Sequence, residues 1–428
     1  MFRTAVARYA AILHLRFTDT FTGLPRTTLN QISPENIPLR LLRVLWYTVG
    51  RLLGNLFLPL PLPENISGKI WLYVVSRNNY DSLAFFKAKL PAAVFVAGQN
   101  KEIGFYNKQV NRLSARRKLW YYYLFVPVWW GLYRLKGVRA LRFFDLIYQA
   151  IGYYEISVAA LKKHRPTCVI FANDHNTDAR ALLLAAKDLN IPTVYIQHAS
   201  VSTSFPPLIF DLNLLEGQDS LDKYRQCGPI TGQVKLIGMP KADVYLAQRN
   251  FRPTVIRLGI CCNIIDDYDG IRATTTYLAR HFPDLHLTFR AHPSDTRNFD
   301  YVLTAGSNIS VSDAKTEPVF DFLLRQDAII AADSSVHLEA TLLNIVSIYY
   351  RFGGNNFTAD YYGYVQHGLI EQAPTLPDLQ VKLQALQTHK PEVYQRARYY
   401  NAVLGTKYEG RSHELALTCL HEFLTHLI

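Results

Sequence analysis

The chain has few cysteines, and their spacing matches no known metal-binding or disulfide pattern. Its five cysteines, among 428 residues, include no CxxC pair and no set spaced with histidines as zinc ligands. This pattern predicts neither a structural zinc site nor a disulfide framework, and it is typical of a protein in a reducing cytoplasm. The sequence also lacks low-complexity segments and repeats of fixed period, so fibrous and solenoid architectures are not expected.

A long apolar run is also missing. The nearest candidate, Leu119–Tyr133 (LWYYYLFVPVWWGLY), has 15 residues and contains Pro127, whereas a membrane-spanning helix needs roughly 18–20. The N-terminus, MFRTAVARYAAILHLRF, is basic and amphipathic but has neither the apolar centre nor the cleavage site of a signal peptide. We therefore expect a cytoplasmic protein without a spanning helix.

Positive charge is in excess. The chain has 46 basic and 34 acidic residues, a formal net charge of +12, which predicts an anionic partner. The basic residues form no recognisable nucleic-acid-binding module, so nucleic acid is not expected. Two stretches, 37–57 and 116–134, place arginines and lysines among apolar and aromatic residues. They fit either a buried core with a basic rim or a helix lying on the anionic inner face of a membrane.

From about residue 68, short apolar β-rich runs alternate with helical patterns, and the alternation restarts after residue 250. Buried strands alternating with helices predict parallel α/β sheets. We expect two doubly wound, Rossmann-like halves facing a central cleft, followed by C-terminal helices. The predicted domains are a basic amphipathic N-terminal segment at 1–67, an N-terminal Rossmann-like domain at 68–248, a C-terminal Rossmann-like domain at 249–400 and a helical tail at 401–428.

The stretch AADSSVHLEA places Ser334 and Ser335 between a buried strand and a helix. A helix N-terminus offers free N–H groups and a partial positive charge, which suit a phosphate. Simple helix capping by serine is the alternative. Glu339 lies four residues after Ser335, too far for a capping box, and a carboxylate there can bind ribose hydroxyls.

The stretch FRAHPSD ends a second strand of the same half with Arg290, His292 and Pro293. Strands of one parallel sheet end at one edge, so His292 is predicted beside Ser334, where its imidazole can donate to a departing phosphate oxygen. Arg290 either strengthens the positive field there or faces solvent. We include Asn263, after the first strand of this half, among the predicted nucleotide-binding residues.

Polar side chains also end two strands of the N-terminal half. The predicted acceptor-side residues after these strands are Asn173, Asp174, His175, Gln197 and His198. Deprotonation of an acceptor hydroxyl needs a carboxylate or an imidazole. Asp174 is the first choice for this base and Asp81, after the first strand, the second; His175 and His198 are further candidates.

The order of these motifs resembles a known enzyme group. The C-terminal half contains HP, then SS, then a helix with Glu. This order resembles the C-terminal half of GT-B glycosyltransferases with cytidine-activated donors. These include bacterial sialyltransferases, capsule Kdo transferases and, more distantly, CDP-glycerol glycerophosphotransferases. The stretch TDARALLLAAKDLNIPTVYIQHAS resembles capsule and surface-polysaccharide transferases, with Ala199 in place of the usual glycine. The resemblance covers roughly residues 165–425. It implies that His292 assists the leaving nucleotide and that Ser334 and Ser335 hold its phosphate.

One departure concerns the acidic motif. Sialyltransferases of this group carry a D/E-D-G motif in the N-terminal half that supplies the base, whereas DDYDG (Asp266–Gly270) lies in the C-terminal half here. We read it as a loop on the nucleotide side or a helix N-cap. It also contains a D-x-D, the metal motif of the other major glycosyltransferase fold, but the two α/β halves argue against that fold. We therefore predict neither a metal nor a cofactor.

These observations predict an inverting glycosyltransferase that moves a sugar from a cytidine-linked nucleotide donor to a surface glycan or lipid-linked acceptor, as in capsule or lipopolysaccharide synthesis. A CDP-glycerol-type glycerophosphotransferase, a UDP-sugar-using enzyme of the same fold and the related epimerase acting on UDP-N-acetylglucosamine are the alternatives in chemistry. The alternative of another class is a non-catalytic glycan-assembly protein docked on a membrane.

Overall fold

The computed structural model describes residues 2–57, 65–98, 110–353 and 359–426. The chain divides into two compact units. Unit 1 comprises Met1–Leu215, Leu221–Lys235 and Ala416–Ile428, and unit 2 comprises Glu216–Ser220 and Leu236–Leu415. Each of the four predicted domains includes some residues outside the described ranges.

Unit 1 is built on a seven-stranded sheet of order β3-β2-β1-β4-β5-β6-β7. Every strand pair with a defined register is parallel. Its strands are β1 (Ile70–Val74), β2 (Ala93–Ala97), β3 (Val110–Arg112), β4 (Cys168–Phe171), β5 (Thr193–Ile196), β6 (Leu212–Leu215) and β7 (Gln233–Leu236). The central strands β1, β4, β5 and β6 are buried along their whole length, as expected for a parallel sheet covered on both faces.

Helices precede and flank this sheet. They are α1 (Phe2–Ile12), α2 (Asp19–Thr22), α3 (Arg26–Ile32), α4 (Ile37–Phe57), α5 (Arg77–Lys89), α6 (Phe125–Lys136), α7 (Val138–Arg142), α8 (Phe144–Ala150), α9 (Tyr153–His164), α10 (Thr177–Asp188) and α11 (Gln218–Cys227), with 3-10 helices at His14–Phe17 and Arg116–Leu124. One apolar cluster joins α1, α6, α8 and α10 through Tyr9, Val128, Ile147 and Ala181. Among the described residues, no helix is both long and apolar enough to cross a membrane.

Unit 2 is built on a six-stranded sheet of order β10-β9-β8-β11-β12-β13, and its registers are parallel. Its strands are β8 (Arg257–Cys262), β9 (His286–Ala291), β10 (Ile309–Val311), β11 (Ala328–Ala331), β12 (Val346–Tyr349) and β13 (Glu371–Gln372). Alternate residues of β11 enter different apolar clusters, Ile330 on one face and Ile329 on the other. Both faces of this sheet are therefore packed, as the continuous apolar pattern of β11 predicts.

The remaining helices follow these strands. They are α12 (Tyr268–His281), α13 (Val302–Ala305), α14 (Val319–Leu323), α15 (Val336–Leu342), α16 (Leu376–Thr388) and α17 (Ser412–Thr425), with 3-10 helices at Pro240–Ala242, Leu246–Gln248 and Tyr394–Tyr399. The strands and helices predicted between residues 68 and 350 are present, and the α/β fold class is confirmed.

The prediction of a helical tail is wrong over its first part. After the 3-10 helix Tyr394–Tyr399 the chain turns, and a regular helix begins only with α17. Gly405 and Gly410 adopt positive φ angles of 74° and 72°, which a continuous right-handed helix excludes. Glu409 Oε2 accepts the Gly405 N–H at 2.7 Å, so a side chain here replaces a helical carbonyl as hydrogen-bond acceptor.

Candidate functional sites of the two units

The sheet of unit 2 has a switch point between β8 and β11. From β8 the chain proceeds to β9 on one side, whereas β11 continues to β12 on the other. Open α/β sheets bind ligands outside the carboxyl ends of their strands at such a point. Asn263 follows β8 and donates from Nδ2 to the carbonyl of Asp333, which follows β11, at 3.2 Å. The structure thus joins two strand ends that are 70 residues apart.

His292 follows β9 at the same edge. Its backbone N–H donates to the Cys262 carbonyl at the end of β8, at 3.0 Å. Its Nδ1 accepts the Ser294 N–H at 3.2 Å, which places the proton of the neutral ring on Nε2. The surrounding protein removes hydration and lowers the pKa of His292, although Asp295 opposes this shift. His292 is therefore an exposed imidazole that is neutral at neutral pH and carries its proton on Nε2.

A partly buried ion pair holds the loop after His292. The guanidinium of Arg297 pairs with Asp295, with Nη2 to Oδ2 at 2.7 Å, and it donates to the carbonyls of Asp266 and Asn263 at 2.7 and 2.9 Å. These contacts tie the loop after β9 to the loop after β8. The ion pair and hydrogen bonds of Arg297 hold the pKa of Asp295 below its usual value against the opposing effect of burial. No sequence motif predicted this clamp, although SDTR directly follows HP.

Ser334 and Ser335 lie at the predicted junction between β11 and α15. The Ser334 hydroxyl accepts the Val336 N–H at 3.4 Å, and Ser335 occupies the N-cap position without a side-chain cap. The simple capping alternative therefore fits Ser334 only weakly and Ser335 not at all. Because α15 has only seven residues, its dipole is small, and any phosphate here would depend mainly on the hydroxyls and backbone N–H groups.

Two buried groups fix this junction. Asp333 accepts the Tyr349 hydroxyl at 2.8 Å and the Tyr361 N–H at 2.6 Å, and burial raises its pKa. His337 in α15 donates from Nε2 to the Ala332 carbonyl at 2.8 Å, and its Nδ1 accepts the Ser347 hydroxyl at 2.6 Å. Burial lowers the pKa of His337 to about 4, so the ring is neutral. These side chains hold the ends of β11 and β12 together.

Glu339 lies in α15 and is buried, with Lys241 Nζ at 2.5 Å from its Oε1. Lys241 also attracts Glu216, a second buried carboxyl, and burial raises the pKa of Glu216 to about 8. The negative charges of Glu339 and Glu216 keep the pKa of Lys241 above its usual value although burial opposes this. The predicted ribose contact of Glu339 would therefore share its carboxylate with Lys241.

Arg290 lies in β9 and is buried. Its guanidinium donates to the Ser312 hydroxyl at 2.6 Å and to the Glu317 carbonyl at 2.8 Å, and it lies over the Phe322 ring at 5.0 Å. Arg290 therefore does not face solvent, which was one of the two expectations. These contacts engage both terminal nitrogens of its guanidinium, and its predicted nucleotide binding stays a prediction.

In unit 1, Asp174 and His175 follow β4 and form a hydrogen-bonded pair. Asp174 is 1% exposed; its Oδ1 lies 2.8 Å from His175 Nδ1, and its Oδ2 accepts the Tyr224 hydroxyl at 2.7 Å. Burial alone would raise the pKa of Asp174, but the hydrogen bonds from His175 and Tyr224 outweigh it and lower the pKa. The ionised carboxylate thus fixes the His175 proton on Nδ1 and leaves Nε2 with a free lone pair.

The neighbouring polar residues shape this strand end. Asn173 Oδ1 accepts the backbone N–H groups of His175 and Asn176 at 3.2 and 2.8 Å, which turns the chain from β4 into α10. Gln197 is buried after β5 and donates to the Ala199 carbonyl at 3.0 Å, and His198 beside it is half-buried. Asn173 and Gln197 therefore have local structural roles in addition to any contact with an acceptor.

Asp81 lies inside α5, with 56% of its side chain exposed and Arg77 Nε at 3.8 Å from its carboxylate. Asp178, in contrast, is part of a mostly apolar cavity of about 450 Å³ in unit 1, together with Tyr73, whose hydroxyl donates to Asp178 at 3.1 Å. Burial raises the pKa of Asp178. Asp178 is not among the predicted site residues, and no sequence pattern indicated this cavity.

The DDYDG stretch follows β8 and includes the first turn of α12. Asp267 is the N-cap of α12 and accepts the Gly270 N–H at 2.7 Å, while Asp266 accepts the Asn263 N–H at 2.7 Å. A Cβ at Gly270 would lie 1.8 Å from the Phe352 carbonyl oxygen, so only glycine fits. In the part of the chain that the structure describes, no group of three or more His, Cys, Asp or Glu side chains could hold a metal ion.

The two parallel, helix-flanked sheets define a GT-B-type α/β fold, and solved structures share it. A UDP-GlcNAc 2-epimerase from Neisseria meningitidis bound to UDP-GlcNAc is 12% identical, with 82% of this chain and 100% of that chain covered and a TM-score of 0.54. The S. aureus MnaA–UDP co-structure is 11% identical, covers 80% and 93% of the two chains, and has a TM-score of 0.52.

A third similar structure is the wall teichoic acid polymerase TagF with the substitution H444N and CDPG, which is 11% identical, covers 91% of this chain and 97% of its own, and has a TM-score of 0.50. At these identities the similarity shows the fold alone. No protein-family model matches the chain, and no curated protein sequence matches it.

Proposed function

We propose that this chain is a glycosyltransferase acting at the inner face of the cytoplasmic membrane. It transfers a sugar from a nucleotide-activated donor, with a cytidine nucleotide, to a surface glycan or lipid-linked acceptor in capsule- or lipopolysaccharide-type synthesis. No metal or cofactor takes part. The observation that carries the proposal is the carboxyl edge of unit 2, where the ends of β8, β9 and β11 bring Asn263, His292 and Ser334 to one switch point.

The donor nucleotide binds at this edge of unit 2. The hydroxyls of Ser334 and Ser335 contact its phosphate, and Nε2–H of His292 donates to the phosphate oxygen that leaves the sugar. Because the neutral imidazole already carries its Nε2 proton, His292 assists by hydrogen-bond donation without first binding a proton. The UDP and CDPG of the similar solved structures support a nucleotide ligand on this fold.

Unit 1 activates the acceptor. The contacts of Asp174 favour a different role from the direct base predicted first, because a buried carboxylate with a lowered pKa is a weak base. We assign the base to His175 Nε2 and make Asp174 its positioning residue. The acceptor hydroxyl gives its proton to Nε2, its oxygen bonds to the anomeric carbon, and the bond from that carbon to the phosphate oxygen breaks with its electron pair on the nucleotide.

A CDP-glycerol-type phosphotransferase and a UDP-sugar enzyme, including the 2-epimerase activity, are the alternatives within this fold. The similarity to the CDPG-soaked polymerase favours the first and the similarity to the epimerases favours the second. Both alternatives would use the same edge of unit 2. Nucleotide preference separates them.

The first test is thermal unfolding of the purified full-length chain with CMP, CDP, UDP, GDP and ADP. A ligand at about 100 times its Kd adds about 2.7 kcal/mol to the free energy of unfolding. This corresponds to a shift of roughly 5–10 °C in Tm for a unit of this size. We expect the largest shift with CMP or CDP and its loss in Ser334→Ala/Ser335→Ala.

The matched control is Ser307→Ala/Ser310→Ala, which changes two exposed serines elsewhere in unit 2 and should keep the full response. A UDP preference would replace the cytidine donor by a UDP-sugar. The absence of a shift with every nucleotide would support the non-catalytic alternative. Retention of the CMP shift in the Ser334/Ser335 variant would reject the assigned phosphate site.

A further inference from the structure

Unit 1 exposes an unusually large apolar surface. It is formed by α4, the 3-10 helix Arg116–Leu124, α6 and α7, and we call it the apolar face. Its exposed members include Leu41, Leu42, Leu45, Trp46, Leu52, Leu53, Leu56, Phe57, Trp120, Tyr123, Val126, Trp130, Leu135, Val138 and Leu141. Trp46 is 78% exposed and Trp120 is 70% exposed. Soluble monomers rarely leave so many large apolar side chains in water unless another surface covers them.

Helix α4 is amphipathic, but its polar side faces the protein and its apolar side faces outward. Its polar side packs against the protein: Arg40 is buried and donates to the Leu141 carbonyl at 3.0 Å, and Thr48 lies 2.7 Å from the Tyr148 hydroxyl. Asn55 continues this polar side by donating to the Arg116 carbonyl at 3.0 Å. The opposite side, which faces outward, carries leucines and Trp46. A helix that folded only to bury apolar surface from water would have the reverse orientation.

The excess positive charge of the chain lies in the two sequence segments that include these elements. Residues 36–63 and 103–144 contain twelve basic residues and no acidic residue. Since the whole chain has 46 basic and 34 acidic residues, the other positions carry 34 of each and are formally neutral. Arg40 and Lys118 are buried, but Arg117, Arg134 and Lys136 are exposed on the same elements as the apolar side chains.

We infer that the apolar face docks on an anionic lipid bilayer, with α4 lying in the plane of the headgroups. Leucines and tryptophans would enter the boundary of the acyl chains, while arginines and lysines contact lipid phosphates. A second copy of the chain is a less suitable occupant, because self-association would bring Arg117, Arg134 and Lys136 of two copies together without opposing acids. The inference does not depend on nucleotide transfer, so it can fail or succeed separately from the proposed function.

The test is co-sedimentation of the full-length chain with vesicles of phosphatidylcholine alone and of phosphatidylcholine with 30% phosphatidylglycerol. We expect binding to the anionic vesicles. The variant Leu45→Ser/Trp46→Ser/Leu53→Ser should lower the partition coefficient more than tenfold, because three inserted side chains are removed. The control Leu303→Ser/Val311→Ser/Val381→Ser, three exposed apolar residues of unit 2, should bind like the unchanged chain.

A second variant isolates the charge. Arg117→Gln/Arg134→Gln/Lys136→Gln should weaken binding to anionic vesicles by roughly fivefold for each removed charge and leave weak binding to neutral vesicles unchanged. The Tm of each variant, measured without vesicles, shows that it is folded. Equal binding by the leucine–tryptophan variant and the unchanged chain would overturn the inference. Light scattering would test self-association. If the unchanged chain is a stable dimer that does not bind vesicles, and the leucine–tryptophan variant is a monomer, the face mediates self-association instead.

Discussion

At the scale of single residues, the pair Asp174–His175 determines what unit 1 can do chemically. Asp174→Asn should lower kcat/KM by on the order of 10²–10⁴, the usual contribution of an acid–base group. Sugar transfer measured with the preferred donor would test this loss.

The comparison variants are Asp81→Asn, which tests the second predicted base, and Asp222→Asn, an ion-paired aspartate on the surface of α11. The Asp222 variant should keep the activity of the unchanged chain. His175→Ala and the double variant with Asp174→Asn should be equally slow, because the two residues act as a unit. A large loss in Asp81→Asn with normal activity in His175→Ala would reassign the base.

His292→Ala should lower kcat by on the order of 10²–10⁴ with little change in Tm, because the exposed imidazole contributes to the leaving-group step and not to the core. His292→Gln should recover part of the rate, since its amide also offers an N–H donor. Full activity of His292→Ala with the preferred donor would refute the role given to this residue.

Glu216 predicts a pH dependence of stability. Its pKa is about 8 in the folded chain and 4.5 when unfolded, so the folded state holds a proton that the unfolded state has released between these values. Stability from this group is complete below pH 4.5 and is lost as the pH rises to 8, by at most about 1.4 kcal/mol per pH unit. The unchanged chain and Glu216→Gln should therefore have similar Tm values at pH 5, and the Tm of the unchanged chain should fall progressively below that of Glu216→Gln up to pH 8. A gap between the two Tm values that stays constant over this range, or a higher Tm for the unchanged chain at pH 8, would contradict the assignment.

At the scale of elements, the loops after β8 and β9 depend on one cation. Arg297→Ala would leave Asp295 without its ion pair and would remove the guanidinium donor from the Asp266 and Asn263 carbonyls, of which Asn263 keeps the Asp266 N–H. We expect a loss of about 1–3 kcal/mol of stability, as for a buried polar group left unsatisfied. We also expect weaker nucleotide binding, because His292 loses its fixed position. Denaturant unfolding and nucleotide titration would measure the two effects.

Arg280→Ala, which removes an exposed arginine from α12 in the same unit, is the control and should change neither quantity. Unchanged nucleotide affinity in Arg297→Ala would show that the clamp stabilises the loops without shaping the binding site.

At the scale of the whole molecule, the proposal assigns nucleotide binding to unit 2 alone. Hydrogen exchange with saturating CMP should show protection at the loops 263–267, 292–297 and 333–336, which end β8, β9 and β11. The strand ends of unit 1 should exchange as they do without nucleotide. Protection at residues 173–176 instead of these loops would move the nucleotide to unit 1.

The sequence by itself determined the alternation of strands and helices. Continuous apolar runs such as that of β11 are buried on both faces, and this local pattern needs no knowledge of the rest of the chain. The positions of His292, Ser334 and Asp174 at strand ends followed from the same pattern. The predicted helical tail fails at Gly405 and Gly410, because their positive φ angles interrupt a right-handed helix.

Only the tertiary structure decided which polar groups meet. Tyr224 lies 50 residues from Asp174, and Lys241 lies 98 residues from Glu339. Arg297 follows β9 and contacts Asn263, which follows β8 and lies 34 residues earlier. No local pattern could have paired these residues. The structure also decided the orientation of α4. Its sequence is amphipathic in either setting, but whether leucines or arginines face inward depends on what the rest of unit 1 offers for packing. Here it offers carbonyl and hydroxyl acceptors to the polar side, and the apolar side is left exposed.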